Sequence, residues 1–386
     1  MDISERASKL TPSLTLAVDA KAKAMKAEGV DVIGFGAGEP DFDTPEHIKA
    51  AAMGFLEAGF TKYTPSSGIP ELRAAIADKL KADNDLDYEP SQIIVNCGAK
   101  HSCFNALLAV LNPGDEVLIP APYWVSYPEM VKLAGGEPVI VPTTADNGYK
   151  LTPELFREYT SPLTKLVIIN TPGNPTGSVY TENELAALAE VALDDDIYIL
   201  SDEIYEKLIY DGAKHSSIAS FSKEVYEHTL TVNGFSKPYA MTGWRLGYVA
   251  APRNVAKAID SLQSHSTSNA TSFAQKGALA AYKGPQDCVV EMVAEYAKRR
   301  LRVIELLDDI GRIKYVKPRG AFYALLDISA TGLDSVSFAD KLLEQQKVAV
   351  VPGIAFGDDR TVRVSYAASL DQIETGLARL KKFVNS

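Results

Sequence analysis

The feature of this chain that most restricts its fold is a regular alternation of short, almost wholly apolar runs with amphipathic stretches of helical spacing. Strands that are apolar throughout are typical of a sheet buried on both faces, and strands alternating with helices are typical of α/β proteins. The chain is therefore predicted to fold as an α/β protein. The runs that carry this prediction are QIIV at 92–95, EVLI at 116–119, KLVII at 165–169, IYIL at 197–200 and TLTV at 229–232.

Helices are predicted between these strands at 102–111, 127–134 and 182–193. The last follows Thr181, with Glu184 three residues later, a spacing that forms a capping box at a helix start. The Ser/Thr/Asn-rich stretch 261–272 is interpreted as a loop or a helix start, serving either as a surface connection or as part of a site.

From about residue 254 the alternation gives way to longer helices, including 287–309, and to a strand pair near 312–316 and 321–327. The helical segment 16–28 also lies outside the alternating region. Because 386 residues exceed one average domain, we expect two domains, the smaller one built from both ends of the chain.

Composition disfavours several classes of partner and site. The chain has 39 basic and 50 acidic residues, and its net charge of -11 disfavours nucleic acid and anionic membranes, although a local site for a small anion is compatible with it. Cys97, Cys103 and Cys288 have no paired spacing, so neither a disulfide framework nor a zinc or other metal site is expected, and a reducing cytoplasm fits best. The first ten residues lack the apolar segment of an export signal, and prolines and a glycine break the longest uncharged stretch, so no membrane span is expected.

Polar residues follow the predicted strands at the edge where α/β sheets place their ligands. Asp202 comes just beyond strand 197–200, with Tyr205 three residues later, and either lines a site or caps the following turn. Lys237 lies in an apolar and aromatic context after strand 229–232. Partial burial beside a cation would lower its pKa and leave the neutral amine that forms a Schiff base with a carbonyl, whereas the alternative is a lysine at the edge of the core.

Arg245, eight residues farther on, could supply that cation while binding a phosphate, or could belong to an unrelated ion pair. Gly98 joins the first predicted strand directly to a helix, in a turn whose backbone N–H groups converge on an anion. The sequence around it matches neither of the common nucleotide-binding glycine patterns. Asn174 lies in a proline-stiffened turn after strand 165–169, where it either presents its amide at the same edge or serves an ordinary turn.

Taken together, these motifs resemble those of the fold-type I, pyridoxal-phosphate-dependent class I aminotransferases, most closely the prokaryotic aspartate aminotransferases. The resemblance spans nearly the whole chain, and the order and spacing of the motifs are highly specific. The motifs are GAGEPDFDTP at 36–45, KYTPSSGIPELR at 62–73, PYWVSYPEM at 122–130, NPTG at 174–177, SDEIYE at 201–206, SKPYAMTGWRLGY at 236–248 and VRVSYA at 362–367.

The resemblance implies a mostly parallel seven-stranded sheet sandwiched by helices, with a smaller discontinuous α+β domain. It assigns 47–285 to the large cofactor-binding domain, and 1–46 and 286–386 to the smaller one. It also implies a homodimer, in which Tyr63 reaches the site of the neighbouring subunit.

The implied cofactor is pyridoxal 5′-phosphate, which Lys237 would hold as an internal aldimine before moving a proton between Cα of the substrate and C4′ of the cofactor. Asp202 would pair with the protonated ring nitrogen and keep the ring an electron sink. Asn174 and Tyr205 would hydrogen-bond the ring 3-oxygen. Trp124 would stack on the ring face and border the substrate.

For the cofactor phosphate, the resemblance implies the turn Gly98, Ala99 and Lys100, together with Arg245 and the neighbouring subunit's Tyr63. Many relatives have serine where this chain has Gly234, so that contact is either absent or made by Ser236. Gly173 also stands where asparagine is more usual.

For the substrate, the resemblance implies that Arg363 grips the α-carboxylate with two parallel hydrogen bonds, assisted by Asn174 and the Gly38 backbone amide. Lys100 would meet the distal carboxylate of aspartate or glutamate. Thr11 stands where relatives that transaminate prephenate tend to carry lysine. The resemblance thus favours amino transfer from L-aspartate to 2-oxoglutarate by a ping-pong mechanism.

Three other functions are weighed against this one. The same cofactor could serve an aminotransferase of aromatic or other amino acids, including prephenate, or a β-lyase, and the distal pocket decides between them. A non-catalytic regulator that binds pyridoxal phosphate usually carries an added basic helix-turn-helix domain, for which the match leaves no room. A dehydrogenase is suggested by Gly34, Gly36 and Gly38, but Pro40 follows instead of the helix that a dinucleotide fingerprint opens.

Overall fold

The computed structural model describes residues 3–8, 10–12 and 14–386. Residues 1, 2, 9 and 13, which belong to the predicted segment 1–46, lie outside the described residues. The α-helices found in the described ranges are α1 (Glu5–Ser8), α2 (Leu14–Ala27), α3 (Glu46–Glu57), α4 (Pro70–Asn84), α5 (Ala99–Val110), α6 (Tyr127–Ala134), α7 (Pro153–Tyr159), α8 (Glu182–Asp194), α9 (Lys223–His228), α10 (Arg253–Ser264), α11 (Ser272–Lys283), α12 (Asp287–Asp308), α13 (Ser335–Gln346) and α14 (Leu370–Asn385).

The strands form one large sheet, one smaller sheet and a two-stranded pair. Their bounds are β1 (Ile33–Gly34), β2 (Ile93–Asn96), β3 (Glu116–Ala121), β4 (Glu137–Pro142), β5 (Thr164–Asn170), β6 (Tyr198–Asp202), β7 (Thr229–Gly234), β8 (Gly247–Ala250), β9 (Lys314–Tyr315), β10 (Tyr323–Asp327), β11 (Val348–Ala349), β12 (Val351–Pro352) and β13 (Thr361–Ser365).

The large sheet has seven strands in the order β2-β8-β7-β6-β5-β3-β4. Only β8 runs antiparallel to its neighbours within this sheet, and the other paired strands are parallel. Successive residues of β5 point to opposite faces: Leu166 packs with residues of α5, α6 and α10, whereas Val167 packs with residues of α7, α8 and α9. The predicted mostly parallel, seven-stranded sheet between helices is confirmed.

The strands lie where the apolar runs predict them, with small shifts at their ends. One shift concerns Asp202, which was expected just beyond its strand but is the last residue of β6, paired with Asn170 of β5. The predicted capping box of α8 is confirmed, because Glu184 accepts from the Thr181 backbone at 2.7 Å while the Thr181 hydroxyl accepts from the Glu184 backbone at 3.4 Å. The stretch 261–272 contains the end of α10, an irregular connection and the first residue of α11.

The smaller sheet has the antiparallel order β12-β13-β10-β9. Its β9 and β10 are the strand pair predicted near 312–316 and 321–327. Near the start of the chain, β1 pairs in parallel with β11, so the two ends of the chain lie side by side. The limits proposed at 46/47 and 285/286 remain predictions.

The topology brings several polar residues to one edge of the large sheet. Parallel strands β2, β5, β6 and β7 all end at this edge, and the antiparallel β8 begins there. The residues that follow these strands therefore meet, although they are far apart in sequence. In the part of the chain that the structure describes, no helix has both the length and the apolar character needed to cross a membrane.

Candidate active site

A cavity of about 470 Å³ opens at this edge of the large sheet. The loop after β1, the start of α5, the turns after β5, β6 and β7, and β13 of the smaller sheet all contribute to its wall. Most of the residues expected from the sequence line it. These are Gly38, Ala99, Lys100, Trp124, Asn174, Asp202, Tyr205, Ser236, Lys237, Arg245 and Arg363.

Asp202 is a buried carboxylate at the floor of the cavity. Its Oδ2 accepts a hydrogen bond from the Tyr127 hydroxyl at 2.7 Å, and its Oδ1 accepts from the Ile204 backbone at 3.2 Å. Burial raises the pKa of Asp202 to about 6, because these hydrogen bonds offset only part of the lost hydration. The residue thus both caps the turn after β6 and offers an under-compensated anion to the cavity, and its role in a site stays a prediction.

Lys237 follows β7 and is half-buried beside aromatic rings. Its Nζ donates to the Gly38 carbonyl and lies 5.6 Å from the centre of the Tyr205 ring. Burial, together with the nearby Arg363 and Arg245 guanidinium groups, lowers the pKa of Lys237 to about 8, against the opposing attraction of Glu39 and Asp202. An appreciable fraction of its amine is therefore neutral near physiological pH.

The turn at the start of α5 forms a compact cradle with Arg245. Gly98 has φ +92°, and a Cβ built there would lie 2.7 Å from Arg245 Nη2, so a larger residue would displace the guanidinium. Arg245 Nη1 donates to the Thr242 carbonyl at 2.9 Å. The N–H groups of Ala99 and Lys100 open the helix and have no acceptor within it, which makes this end of α5 suited to an anion.

Packing explains why position 234 is a glycine, although the resemblance led us to expect a serine there. Gly234 is the register partner of Gly247 on β8, and a Cβ built at Gly234 would lie 2.9 Å from the Gly247 Cα atom. A side chain there would push β7 and β8 apart. Ser236, two residues later, lines the cavity and is the hydroxyl available to replace the missing serine.

Arg363 reaches the cavity from β13 and is almost completely buried. Its Nη1 donates to Asn174 Oδ1 at 2.9 Å, and its Nη2 donates to the Gly36 carbonyl at 2.8 Å. Its Nε is buried, with no hydrogen-bond partner among the described residues. A buried guanidinium with a free donor is unfavourable unless an acceptor, such as a carboxylate, enters the cavity beside it. Arg363 is thus a buried arginine, although it lies on a strand of the smaller sheet.

Tyr205 and Tyr323 lie in contact at the back of the cavity. Their hydroxyl oxygens are 2.8 Å apart, and burial raises the pKa of both phenols. At the mouth, Lys100 Nζ lies 5.0 Å from the centre of the Trp124 ring. Burial lowers the pKa of Lys100, and the Arg245 guanidinium adds to this effect.

Two of the expected residues do not line the cavity of their own chain. Gly98 lies beneath its wall, in contact with Arg245. Tyr63 lies outside the cavity, and its side chain is 88% exposed. An aromatic ring so exposed makes few stabilising contacts within this chain.

Three contributors to the site were not identified from the sequence. Tyr127 anchors Asp202, Tyr323 contacts Tyr205, and Asn170 accepts from the Asn174 backbone at 2.9 Å while donating to the Asp202 carbonyl at 2.9 Å. Tyr127 lies in the quoted motif at 122–130, three residues after Trp124, where it could have been noticed. Tyr323 carries no local signal, because its contact with Tyr205 joins distant segments, and the contact of Asn170 with Asp202 likewise crosses between strands.

A second group of titratable side chains is buried behind the site. Glu203, Glu206 and His215 place their potential ligand atoms within 4.8 Å of one another. The Lys79 ammonium already pairs with Glu206, and His215 Nε2 lies 2.9 Å from Glu203 Oε2. Burial alone would raise the pKa of Glu206, but Lys79 and His215 lower it to about 2. We interpret this group as an internal ion-pair network, with Lys79 as its cation.

Comparisons with known proteins agree on one family. Residues 30–380 match the family model described as aminotransferase class I and II. The chain is 52% identical to an aspartate aminotransferase of Bacillus sp. (strain YM-2), with 99% of each chain covered. It is also 52% identical to a probable aspartate/prephenate aminotransferase of Aquifex aeolicus, with 98% of each covered. Among solved structures, it is similar to an aspartate aminotransferase from Thermus thermophilus with maleate, with 45% identity, 99% of each chain covered and a TM-score of 0.95.

Replacing the buried carboxylate by an amide is expected to stabilise the cofactor-free protein at high pH. The folded-state pKa of Asp202 is raised to about 6 from an ordinary value of 3.8, so its favourable contribution is lost as the pH rises between these values. Asp202→Asn should therefore unfold at higher urea concentration than the wild type at pH 8. Its advantage should grow by about 1 kcal/mol between pH 5 and pH 8.

The matched control is Asp195→Asn, which changes an exposed carboxylate at the end of α8. It should follow the wild-type pH dependence. An Asp202→Asn variant whose stability tracks the wild type at both pH values would contradict the assignment of a desolvated carboxylate.

Proposed function

Because the chain belongs to the aminotransferase class I and II family, we propose that it transfers the amino group of L-aspartate to 2-oxoglutarate, with pyridoxal 5′-phosphate as cofactor. The products are oxaloacetate and L-glutamate, and the two half-reactions follow one another in a ping-pong mechanism. One observation carries the proposal: a lysine whose pKa is about 8 and a buried, under-compensated carboxylate line the same cavity.

The residues present fit this cofactor. The amine of Lys237 suits an aldehyde, and Asp202 suits a protonated ring nitrogen, whose positive charge would relieve the burial of the carboxylate. The cradle formed by Gly98, the start of α5 and Arg245 suits a phosphate. Ser236 and Trp124 line the same cavity. The Ser236 hydroxyl suits the cofactor phosphate, and the Trp124 indole suits the face of the cofactor ring.

When bound, pyridoxal phosphate supplies an electron sink for the electron pair released at the substrate Cα atom. Asp202 holds the proton of the ring nitrogen by charge attraction. Tyr205 and Asn174 would orient the ring by donating hydrogen bonds to its 3-oxygen. Lys237 Nζ removes the Cα proton of the substrate as a base and returns a proton as an acid, for which a pKa near the working pH is suited.

Arg363 orients the substrate through its α-carboxylate. Its unpartnered Nε and its remaining N–H groups form a fork that can donate to both carboxylate oxygens, while Asn174 and Gly36 keep the guanidinium in place. This grip directs the Cα–H bond toward Lys237. Gly38 also lines this region, where its carbonyl accepts from Lys237 Nζ.

Lys100 is proposed to select a dicarboxylic substrate. It lines the cavity at the start of α5 as a cation on a flexible stem beside Trp124, and it is free to meet a second carboxylate. Thr11 does not line the cavity, and its backbone donates to Glu129 at 3.2 Å. Aspartate is therefore favoured over prephenate, although several similar proteins bear the name aspartate/prephenate aminotransferase or probable aspartate/prephenate aminotransferase.

The active unit is proposed to be a homodimer in which Tyr63 completes the phosphate site of the partner. Its exposure in the isolated chain supports this, as do the exposed apolar side chains of the nearby α3. These are Met53, Phe55 and Leu56. The protein is further proposed to be cytoplasmic, since its cysteines are free thiols, as expected in a reducing compartment.

Lys237→Ala should abolish the pH-dependent visible absorbance of the loaded protein and lower kcat by several orders of magnitude, because it removes the amine proposed to bond the cofactor and to move the proton. Absorbance spectra and a coupled oxaloacetate assay measure the two effects. The exposed Lys214 offers a control, and Lys214→Ala should behave as the wild type. Turnover at the wild-type rate in Lys237→Ala would refute the assignment.

Lys100→Ala should raise the KM for aspartate by about 10- to 100-fold, the effect of one lost charge-assisted hydrogen bond. The KM for alanine should change far less, because alanine has no distal carboxylate. Steady-state kinetics with both donors measure this contrast. Equal effects on the two donors would remove Lys100 from the distal site.

Mixing one impaired and one inactive variant should restore activity if subunits share their sites. Tyr63→Ala should weaken phosphate binding in the partner, and Lys237→Ala inactivates its own site. Refolding the two together forms mixed dimers with one intact site, so about a quarter of wild-type activity is expected for equal mixing. Activity no higher than the sum of the separate variants would exclude this shared-site arrangement.

A further inference from the structure

Tyr323 contacts a residue of the site, although the proposed function assigns no role to Tyr323 itself. It is the first residue of β10, is completely buried, and pairs with Ser365 of β13. Its hydroxyl oxygen lies 2.8 Å from that of Tyr205. Because two strands of the smaller sheet hold its backbone, the position of this hydroxyl is set by a rigid element.

The ring of Tyr323 also lies against the substrate-binding arginine. The centre of the Arg363 guanidinium is 4.4 Å from the centre of the Tyr323 ring, a cation–π contact. Tyr323 therefore links two parts of the site, since its ring contacts the carboxylate clamp and its hydroxyl contacts the tyrosine proposed to bind the cofactor ring.

The charges around the pair indicate which hydroxyl donates. Burial raises the pKa of both phenols. At Tyr323 the Arg363 guanidinium is the largest influence that lowers the pKa, whereas at Tyr205 its lowering effect is smaller than the effects of Tyr323, which raise the pKa. The more acidic phenol is the stronger hydrogen-bond donor. Other charged groups facing the pair are Lys237, Asp202 and Glu39.

We propose that Tyr323 is a positioning residue whose hydroxyl donates to Tyr205 and thereby strengthens the hydrogen bond that Tyr205 donates to the cofactor 3-oxygen. The inference rests on the proposed function, because it needs the cofactor in the cavity. A hydroxyl that accepts one hydrogen bond becomes a better donor of another. Tyr323 thus acts through Tyr205 and touches neither the cofactor nor the reacting atoms.

The measurable consequence concerns the proton at Lys237 Nζ in the loaded protein. Negative charge on the neighbouring 3-oxygen favours this proton, and a strong hydrogen bond from Tyr205 withdraws part of that charge. Loss of the Tyr323 hydroxyl should weaken the bond from Tyr205. The pKa at which the visible absorbance of the lysine-linked cofactor changes should therefore rise.

The test is an absorbance titration of the loaded protein without substrate. Tyr323→Phe keeps the ring beneath Arg363 and removes only the hydroxyl. The pKa at which the visible absorbance changes, here called the spectral pKa, should rise by about half a unit to one unit, which is the effect of losing one hydrogen bond. Binding of succinate, which probes Arg363, should stay within about twofold of the wild type because the ring contact remains.

Tyr366→Phe is the matched control. Tyr366 is equally buried and donates to the Ala321 carbonyl at 3.1 Å, and it does not line the cavity. Its loss should leave the spectral pKa unchanged. Equal shifts in the two variants would indicate a general effect of removing a buried hydroxyl and would overturn the proposal.

Two further measurements address the direction and the route of the effect. Tyr323→3-fluorotyrosine keeps the hydroxyl, makes it more acidic and should lower the spectral pKa, so this variant tests the proposal even if Tyr323→Phe does not fold. In a protein that already carries Tyr205→Phe, adding Tyr323→Phe should cause no further shift of the spectral pKa, because the Tyr205 hydroxyl through which Tyr323 acts is absent.

The outcomes separate this inference from the function on which it rests. A wild-type protein without a pH-dependent visible band would overturn both. A wild-type band combined with an unchanged or lowered pKa in Tyr323→Phe, or with additive shifts in the double variant, would overturn the role of Tyr323 alone.

Discussion

The desolvated pair of Asp202 and Lys237 is the constraint on which the rest of the site depends. Burial pushes both groups toward their neutral forms, raising the pKa of the carboxyl to about 6 and lowering that of the amine to about 8. Neither charge is fully compensated by the protein. The cavity is therefore electrostatically prepared for a group that carries its own positive ring nitrogen and an aldehyde.

The protein holds this unfavourable arrangement in place with hydrogen bonds from rigid elements. Tyr127 on α6 and the Ile204 backbone fix the Asp202 carboxylate, while Asn170 at the end of β5 ties the Asp202 backbone to the Asn174 turn. Each partner is itself anchored in a helix, a strand or a tight turn. The stability of the large sheet thus offsets the unfavourable free energy of burying the carboxylate. Active sites commonly lower the stability of a protein in this way.

The side of the cavity proposed to bind the substrate is built by a different layer of the molecule. Arg363 comes from the smaller sheet, yet its guanidinium is held by Asn174 of the large sheet's turn and by the carbonyl of Gly36 near the start of the chain. Three segments that are distant in sequence therefore meet at Arg363. Tyr323 lies beneath the same guanidinium and contacts Tyr205, so the proposed carboxylate clamp and the proposed cofactor site are in direct physical contact.

Much of this could be predicted from the sequence, because it depends on local patterns. Apolar runs placed the strands of the large sheet, Thr181 and Glu184 identified the start of α8, and motifs after the strands brought forward Asp202, Lys237, Arg245 and Asn174. Only the tertiary structure decided the rest. Tyr127, Asn170 and Tyr323 act through partners far away in sequence, the burial of Arg363 depends on two sheets meeting, and the pKa shifts arise from desolvation. Desolvation is a property of the packed molecule, since no segment excludes water from its own polar groups alone.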